Sequence, residues 1–74
     1  MSHRMPERLL EACERGRRAG KDFPTIWREL LRPNPLVVGL PGHEVAGREA
    51  RILIHLRTGQ TLVSTVDGYS LRGS

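Results

Sequence analysis

The glycines at positions 42 and 47 have the spacing of a phosphate-binding loop, which would be a site for nucleotide chemistry. Such a loop needs lysine directly after the second glycine, followed by serine or threonine to bind magnesium. Arg48 and Glu49 occupy those positions here, and the glutamate would repel a phosphate. The residues that follow are strand-like, so the pattern lacks the helix N-terminus that binds the anion. We therefore predict that segment 42–47 is a connecting loop.

Side chains that bind metals or act as nucleophiles are few. Ser64 and Ser70 have no nucleophile motif around them. Cys13 lies beside small residues of a predicted helix, where a lone cysteine usually packs as a small hydrophobe. No zinc signature fits the four candidate ligands, which are His3, Cys13, His43 and His55. We predict no metal, no cofactor and no intrinsic catalytic activity.

Arginine is unusually frequent: the chain has 11 arginines and one lysine against eight acidic residues, for a net charge of +4. Cations in the last turn of a helix complement its dipole. A group of basic residues without an acid can also contact phosphates, with a salt-dependent affinity. Both interpretations stay open for the basic cluster, which consists of Arg15, Arg17, Arg18 and Lys21. As a nucleic-acid site, the cluster could be joined by Arg51 and Arg57.

The elements that must position these side chains begin with a β-meander over residues 50–71. Ile52, Ile54 and Leu56 alternate with other residues in the period of a strand. A two-residue turn after them would force the β-branched Thr58 to positive φ, which is sterically costly. We therefore predict a three-residue loop, 57–59, with Gly59 in the left-handed conformation.

The second turn and the register follow from the same reasoning. Asp67-Gly68 is typical of a type I′ turn between two strands. The two turns place the even-numbered apolar residues of the meander on one face, which we predict to be the core face. The predicted cross-strand pairs are Ile54–Leu62, Ile52–Ser64, Ala50–Val66, Val66–Tyr69 and Ser64–Leu71.

Two helices are predicted in the N-terminal part, about residues 5–32. Small residues recur every three or four positions along the first helix, and Gly20 is placed to end it. Asp22 or Phe23 caps the second helix, and Pro24 lies in its first turn. The small residues would let the two helices pack closely, with Phe23 and Trp27 filling the gap.

A first strand at the sheet edge is predicted over Leu36–Leu40, because this apolar run is bounded by Pro35 and Pro41. The fold class is then α+β: two N-terminal helices packed on one face of a small antiparallel sheet, an edge strand plus a three-stranded meander. The chain, 1–74, is one small domain. Its predicted strands span about 36–40, 50–57, 60–66 and 69–71.

One apolar pair falls on the other face of the predicted sheet. In the proposed register Leu53 lies opposite Val63, among polar neighbours, on the face turned away from the helices. Such a pair is either an ordinary exposed aliphatic pair or a contact surface for another protein or a second copy. Leu53 and Val63 are therefore the candidate protein-interface residues.

The meander also resembles the first motif of the Sm-like RNA-binding family. The resemblance rests on residues 52–60, Leu62 and Val66-Asp67-Gly68-Tyr69, within a stretch of about twenty residues. Ser64 stands where the family prefers glycine, and Ser70 where it usually has aspartate. The sequence ends before the family's second motif, so we do not assign the chain to this family.

The remaining features predict a soluble setting and an interaction function. The apolar runs are far shorter than the roughly 20 residues that span a bilayer. A single cysteine cannot form an internal disulfide, so the cytoplasm is the simplest location. We predict a small cytoplasmic protein-interaction module that binds an unknown protein or itself, with nucleic-acid binding through the basic cluster as the alternative.

Overall fold

The computed structural model describes residues 5–73. Two helical segments are followed by four antiparallel strands in the spatial order β1-β2-β3-β4. The helical elements are α1 (Met5–Arg18) and α2 (Phe23–Ile26), which continues as a π-helical turn (Trp27–Leu31). The strands are β1 (Gly42–Ala46), β2 (Glu49–His55), β3 (Thr61–Thr65) and β4 (Gly68–Arg72). The predicted α+β class, with N-terminal helices packed on the sheet, is confirmed.

Local residue chemistry explains where the helices begin and end. The Lys21 N–H donates to the Gly16 carbonyl at 3.0 Å, and the Gly20 N–H donates to the Arg17 carbonyl at 3.0 Å. These bonds form a Schellman motif around Gly20, whose φ is +89°. The Asp22 carboxylate accepts from the Thr25 N–H at 3.1 Å and caps α2. Both helix boundaries therefore lie where the sequence predicted them.

The small residues of α1 allow close packing of the second helical segment, as predicted. A Cβ added to Gly16 would lie 3.3 Å from Cγ1 of Ile26. The rings of Phe23 and Trp27 stack with centroids 6.4 Å apart and pack against the core. Neither helical segment within residues 5–73 has the length and apolar character that crossing a bilayer requires.

The core lies between the helices and the face of the sheet that carries Ile54, Leu62 and Leu71. β2 and β3 pair in the predicted register, with Ile54 opposite Leu62 and Ile52 opposite Ser64. The loop between them has Gly59 at φ +92° and is closed by the Leu56 N–H, which donates to the Gln60 carbonyl at 2.9 Å. The predicted three-residue loop is therefore confirmed. The central core residues are Leu9, Cys13, Ile26, Leu31, Ile54, Leu56 and Leu62.

The turn between β3 and β4 differs from the prediction. Its central residues are Val66 and Asp67, and Ser64 lies opposite Tyr69. No residue other than glycine among 5–73 has positive φ, so Asp67 does not adopt a type I′ turn. Instead its N–H donates to the Thr65 hydroxyl at 3.2 Å. The register of β3 with β4 shifts by two residues, which preserves the faces but removes the predicted pairs Val66–Tyr69 and Ser64–Leu71. The predicted pair Ala50–Val66 is also absent, because β3 ends at Thr65 and Val66 lies in the turn.

The edge strand also differs from the prediction. Leu36–Leu40 makes only one isolated bridge, Val37 with Leu56, and the segment predicted as a loop, 42–47, contains β1 and the first turn residue. Both segments lie on the same side of β2, separated by a bulge in which Gly39 has φ +73° and Leu40 is 82% exposed. The sheet therefore has an edge strand on the predicted side of β2, but residues 42–46 form it, and the predicted strand at 36–40 is wrong.

Candidate functional site

The helices leave part of the core face of the sheet uncovered. α1 packs against β4, so the helical layer lies toward the β3-β4 side. On the β1-β2 side, Val45 is 73% exposed. Val66, in the turn between β3 and β4, is 80% exposed. A cleft of about 370 Å³ lies here, with His43 and Ser64 also in its lining. We call its apolar lining residues the open patch: Val45, Ala50, Ile52 and Val66.

The two edge strands of the sheet, β1 and β4, differ in their contacts with the rest of the chain. At the β4 edge, the Glu14 carboxylate of α1 accepts a hydrogen bond from the Tyr69 N–H. Arg17 of α1 also donates to the Val66 carbonyl at 3.4 Å, in the turn that leads into β4. α1 therefore occupies the β4 edge at the end nearest this turn.

The β1 edge is open. The two-residue turn Gly47-Arg48 is closed by the pair Ala46–Glu49. Because hydrogen-bonded and non-bonded pairs alternate in an antiparallel ladder, the N–H and C=O groups of His43 and Val45 point away from β2. Within residues 5–73, no hydrogen bond reaches these groups from another segment. A free edge of this kind is a template for another strand.

The opposite face of the sheet carries the predicted interface pair and an ion-pair network. Leu53 lies opposite Val63, as predicted, but Val63 is only 3% exposed and Leu53 is half-buried. Neighbouring charged side chains belong to the network: Arg72 lies 3.0 Å and Arg51 lies 3.6 Å from Glu44, and Arg51 lies 2.6 Å from Glu49. The hydrogen bond from Arg72 lowers the pKa of Glu44. A role of Leu53 and Val63 in binding stays a prediction, with little free surface at Val63.

The basic cluster lies at the C-terminal end of α1 and just beyond it, and all four side chains are exposed. Two of them have partners: Lys21 forms an ion pair with Glu29 at 2.6 Å, and Arg17 donates to Val66. Arg15 and Arg18 lie one helical turn apart and have no ion-pair partner within residues 5–73. The additional candidates are also engaged, since Arg51 is in the ion-pair network and Arg57 donates to the Pro35 carbonyl at 2.7 Å.

The candidate metal ligands do not converge. His43 shares the core-side face with its partner Ile52, whereas His55 lies on the opposite face with its partner Thr61. Cys13 is fully buried, and burial raises the pKa of its thiol to about 12, so it is neutral near pH 7. His3 lies outside the described residues. Within residues 5–73, no group of three or more His, Cys, Asp or Glu side chains is placed to hold a metal ion.

Sequence reasoning missed the open patch and the open edge because it placed Val45 in a loop. The alternation of His43, Glu44 and Val45 was the available signal, but it spans only three residues between glycines.

Comparisons of the chain with family models, with curated proteins and with solved structures give no match.

Proposed function

We propose that this chain is a small protein-interaction module that binds an extended segment of a protein along the β1 edge and beside the open patch. The observation that carries the proposal is the exposure of Val45, 73%, on an edge strand whose outward backbone groups are unpaired within residues 5–73. We place this activity in the cytoplasm, and we propose no catalytic step for it.

The chemistry of the β1 edge favours a strand as the bound element. Outward N–H and C=O groups at His43 and Val45 repeat at the two-residue spacing of a β-ladder, so they match the backbone of an extended chain. The open patch adds apolar surface on the same face as Val45. Main-chain bonds would provide affinity, and side chains that reach the patch would provide specificity.

Val45 offers a sharp test of this proposal. Extended peptides are first selected from a random display library for binding to the wild-type chain. These peptides should bind Val45→Pro at least about tenfold more weakly than wild type, a loss of roughly 1.4 kcal/mol in binding free energy. Proline removes the outward N–H without removing a bond between β1 and β2, because this N–H points away from β2. Binding is measured by fluorescence anisotropy with labelled synthetic peptides.

The matched control is Val45→Ile, which keeps the N–H, the β-branched shape and the apolar side chain. We expect it to bind within about twofold of wild type, since a similar hydrophobic side chain is usually tolerated. Equal binding by wild type and Val45→Pro, with both variants folded by circular dichroism, would show that the peptides bind elsewhere.

Nucleic-acid binding through the basic cluster is the second candidate, favoured by the exposure of Arg15 and Arg18 on adjacent turns of α1. Aromatic stacking would contribute little, because Phe23, Trp27 and Tyr69 pack against the core. Binding would therefore depend on phosphate contacts and would be weak and largely independent of base sequence.

For the nucleic-acid candidate we expect wild-type affinity for labelled single-stranded RNA to fall about 7- to 18-fold between 50 and 200 mM salt, as two or three phosphate contacts with a single strand imply. Arg15→Gln combined with Arg18→Gln should abolish the binding seen at 50 mM salt. Arg28→Gln removes an exposed arginine outside the cluster and should have little effect. No binding at 50 mM salt, or equal losses in both variants, would eliminate this candidate.

A further inference from the structure

The open β1 edge is complementary to the β1 edge of a second copy of the chain. We infer that β1 pairs with β1 of another molecule in an antiparallel, two-fold symmetric dimer centred on Glu44. The inference rests on the proposed function, because it names the extended segment that the β1 edge binds.

The first support is the self-complementary spacing of the outward backbone groups. Around a two-fold axis at Glu44, His43 lies opposite Val45 of the second copy, and Val45 lies opposite its His43. Both residues of each pair direct N–H and C=O outward, so four backbone hydrogen bonds form across the axis. Each outward group on one strand meets a partner group on the other.

The ends of β1 restrict this pairing to one register. Centring the axis on His43 would place Val45 opposite Pro41, which has no N–H to donate. Centring it on Val45 would place His43 opposite Gly47, which lies in the turn with φ +64° and is not extended. Only the axis at Glu44 pairs extended residues throughout.

The charges at the centre are compatible with a close approach of two glutamates. Glu44 lies on the face opposite the helices, where Arg72 and Arg51 neutralise it at 3.0 Å and 3.6 Å. In the dimer, two carboxylates would meet among four arginines. On the other face, the exposed Val45 would gain the His43 ring of the second copy as a neighbour.

The contrast between the two edges explains why pairing would stop at a dimer. Glu14 and Arg17 of α1 contact the β4 edge at Tyr69 and at Val66 in the turn before it, so α1 hinders a β1 strand from aligning along this edge to build a head-to-tail filament. A two-fold contact uses the same edge on both molecules and closes on itself. Two-fold pairing at β1 therefore gives an eight-stranded sheet shared by two chains.

The test is disulfide cross-linking of Glu44→Cys in the full chain. Residues opposite each other at a non-hydrogen-bonded position have Cβ atoms about 4.5–5.5 Å apart, close enough for a disulfide after small shifts. We expect Glu44→Cys to form a covalent dimer at least tenfold faster than Asp67→Cys, an exposed control in the β3-β4 turn. Cys13 is fully buried and should not react in the folded chain.

A second measurement does not depend on the new cysteine. Sedimentation equilibrium from 10 µM to 1 mM should show wild type reaching twice the monomer mass, and Val45→Pro remaining a monomer. Wild type that stays monomeric at 1 mM and cross-linking rates equal to the control would overturn the dimer. The peptide-binding test would still decide the proposed function, since an edge that rejects a second copy can bind another strand.

Discussion

Leu62→Ala is expected to lower the free energy of unfolding by about 2–5 kcal/mol, the usual cost of removing a buried leucine side chain. Leu62 is fully buried, lies opposite Ile54 on β2 and Leu71 on β4, and belongs to the core beneath the helices. At about 0.05–0.15 kcal/mol per residue, a domain of this length has a total stability of only about 4–11 kcal/mol. Urea unfolding followed by circular dichroism and Trp27 fluorescence measures the change.

Val66→Ala is the matched control for this substitution. Val66 is also an even-numbered apolar residue of the meander, but it is 80% exposed, so we expect a change within about 0.5 kcal/mol. Similar losses from the two substitutions would mean that the helices do not cover the sheet as described.

Gly68→Ala is expected to destabilise the fold by about 2–4 kcal/mol, the sum of backbone strain and a lost charge-assisted hydrogen bond. Gly68 has φ +135°, a region that residues with a Cβ rarely adopt. An added Cβ would lie 2.6 Å from Oε1 of Glu14, so the carboxylate would have to leave the Tyr69 N–H. Urea unfolding again gives the free energy.

Two comparisons separate the strain at Gly68 from the loss of the Glu14 hydrogen bond. Gly20→Ala also places a Cβ at positive φ, +89°, but meets no atom within 4 Å, so it should cost only the strain, about 1 kcal/mol. In a Glu14→Ala background, the loss in free energy of unfolding caused by Gly68→Ala should fall to about the value expected for Gly20→Ala. If Gly68→Ala and Gly20→Ala are equally destabilising in the wild-type chain, the contact between α1 and the β4 edge is not as described.

Sequence reasoning found the core face because turn chemistry constrains it locally. Thr58 cannot easily adopt positive φ, which selects the three-residue loop and fixes Ile54 opposite Leu62. The turn predicted at Asp67-Gly68 was wrong, and the observed register of β3 with β4 differs from the predicted one by two residues. Because two is an even number, Ser64 and Tyr69 still lie on the predicted face. Tertiary contacts decided that turn, since α1 bonds to Tyr69 and to Val66 from far away in sequence.

The candidate site was harder to predict because exposure depends on where the helices end over the sheet. The apolar run 36–40 predicted a strand on composition, yet its Gly39 adopts positive φ, and hydrogen bonding to β2 stops after Val38, whose N–H donates to the His55 carbonyl. The residues of β1 carry few apolar side chains, because one side of this edge strand faces solvent. No local sequence pattern indicates that Val45 lies on the core-side face of the sheet at a position that α1 does not cover.

Residue-resolved amide hydrogen exchange in dilute solution, near 10 µM, tests most directly whether the β1 edge is open while the β4 edge is bonded to α1 at Tyr69. We expect the amides of His43 and Val45 to exchange at close to unprotected rates, and the amide of Tyr69 to exchange more slowly because it is bonded to Glu14. Strong protection of His43 and Val45 at this concentration, or rapid exchange at Tyr69, would contradict this expectation.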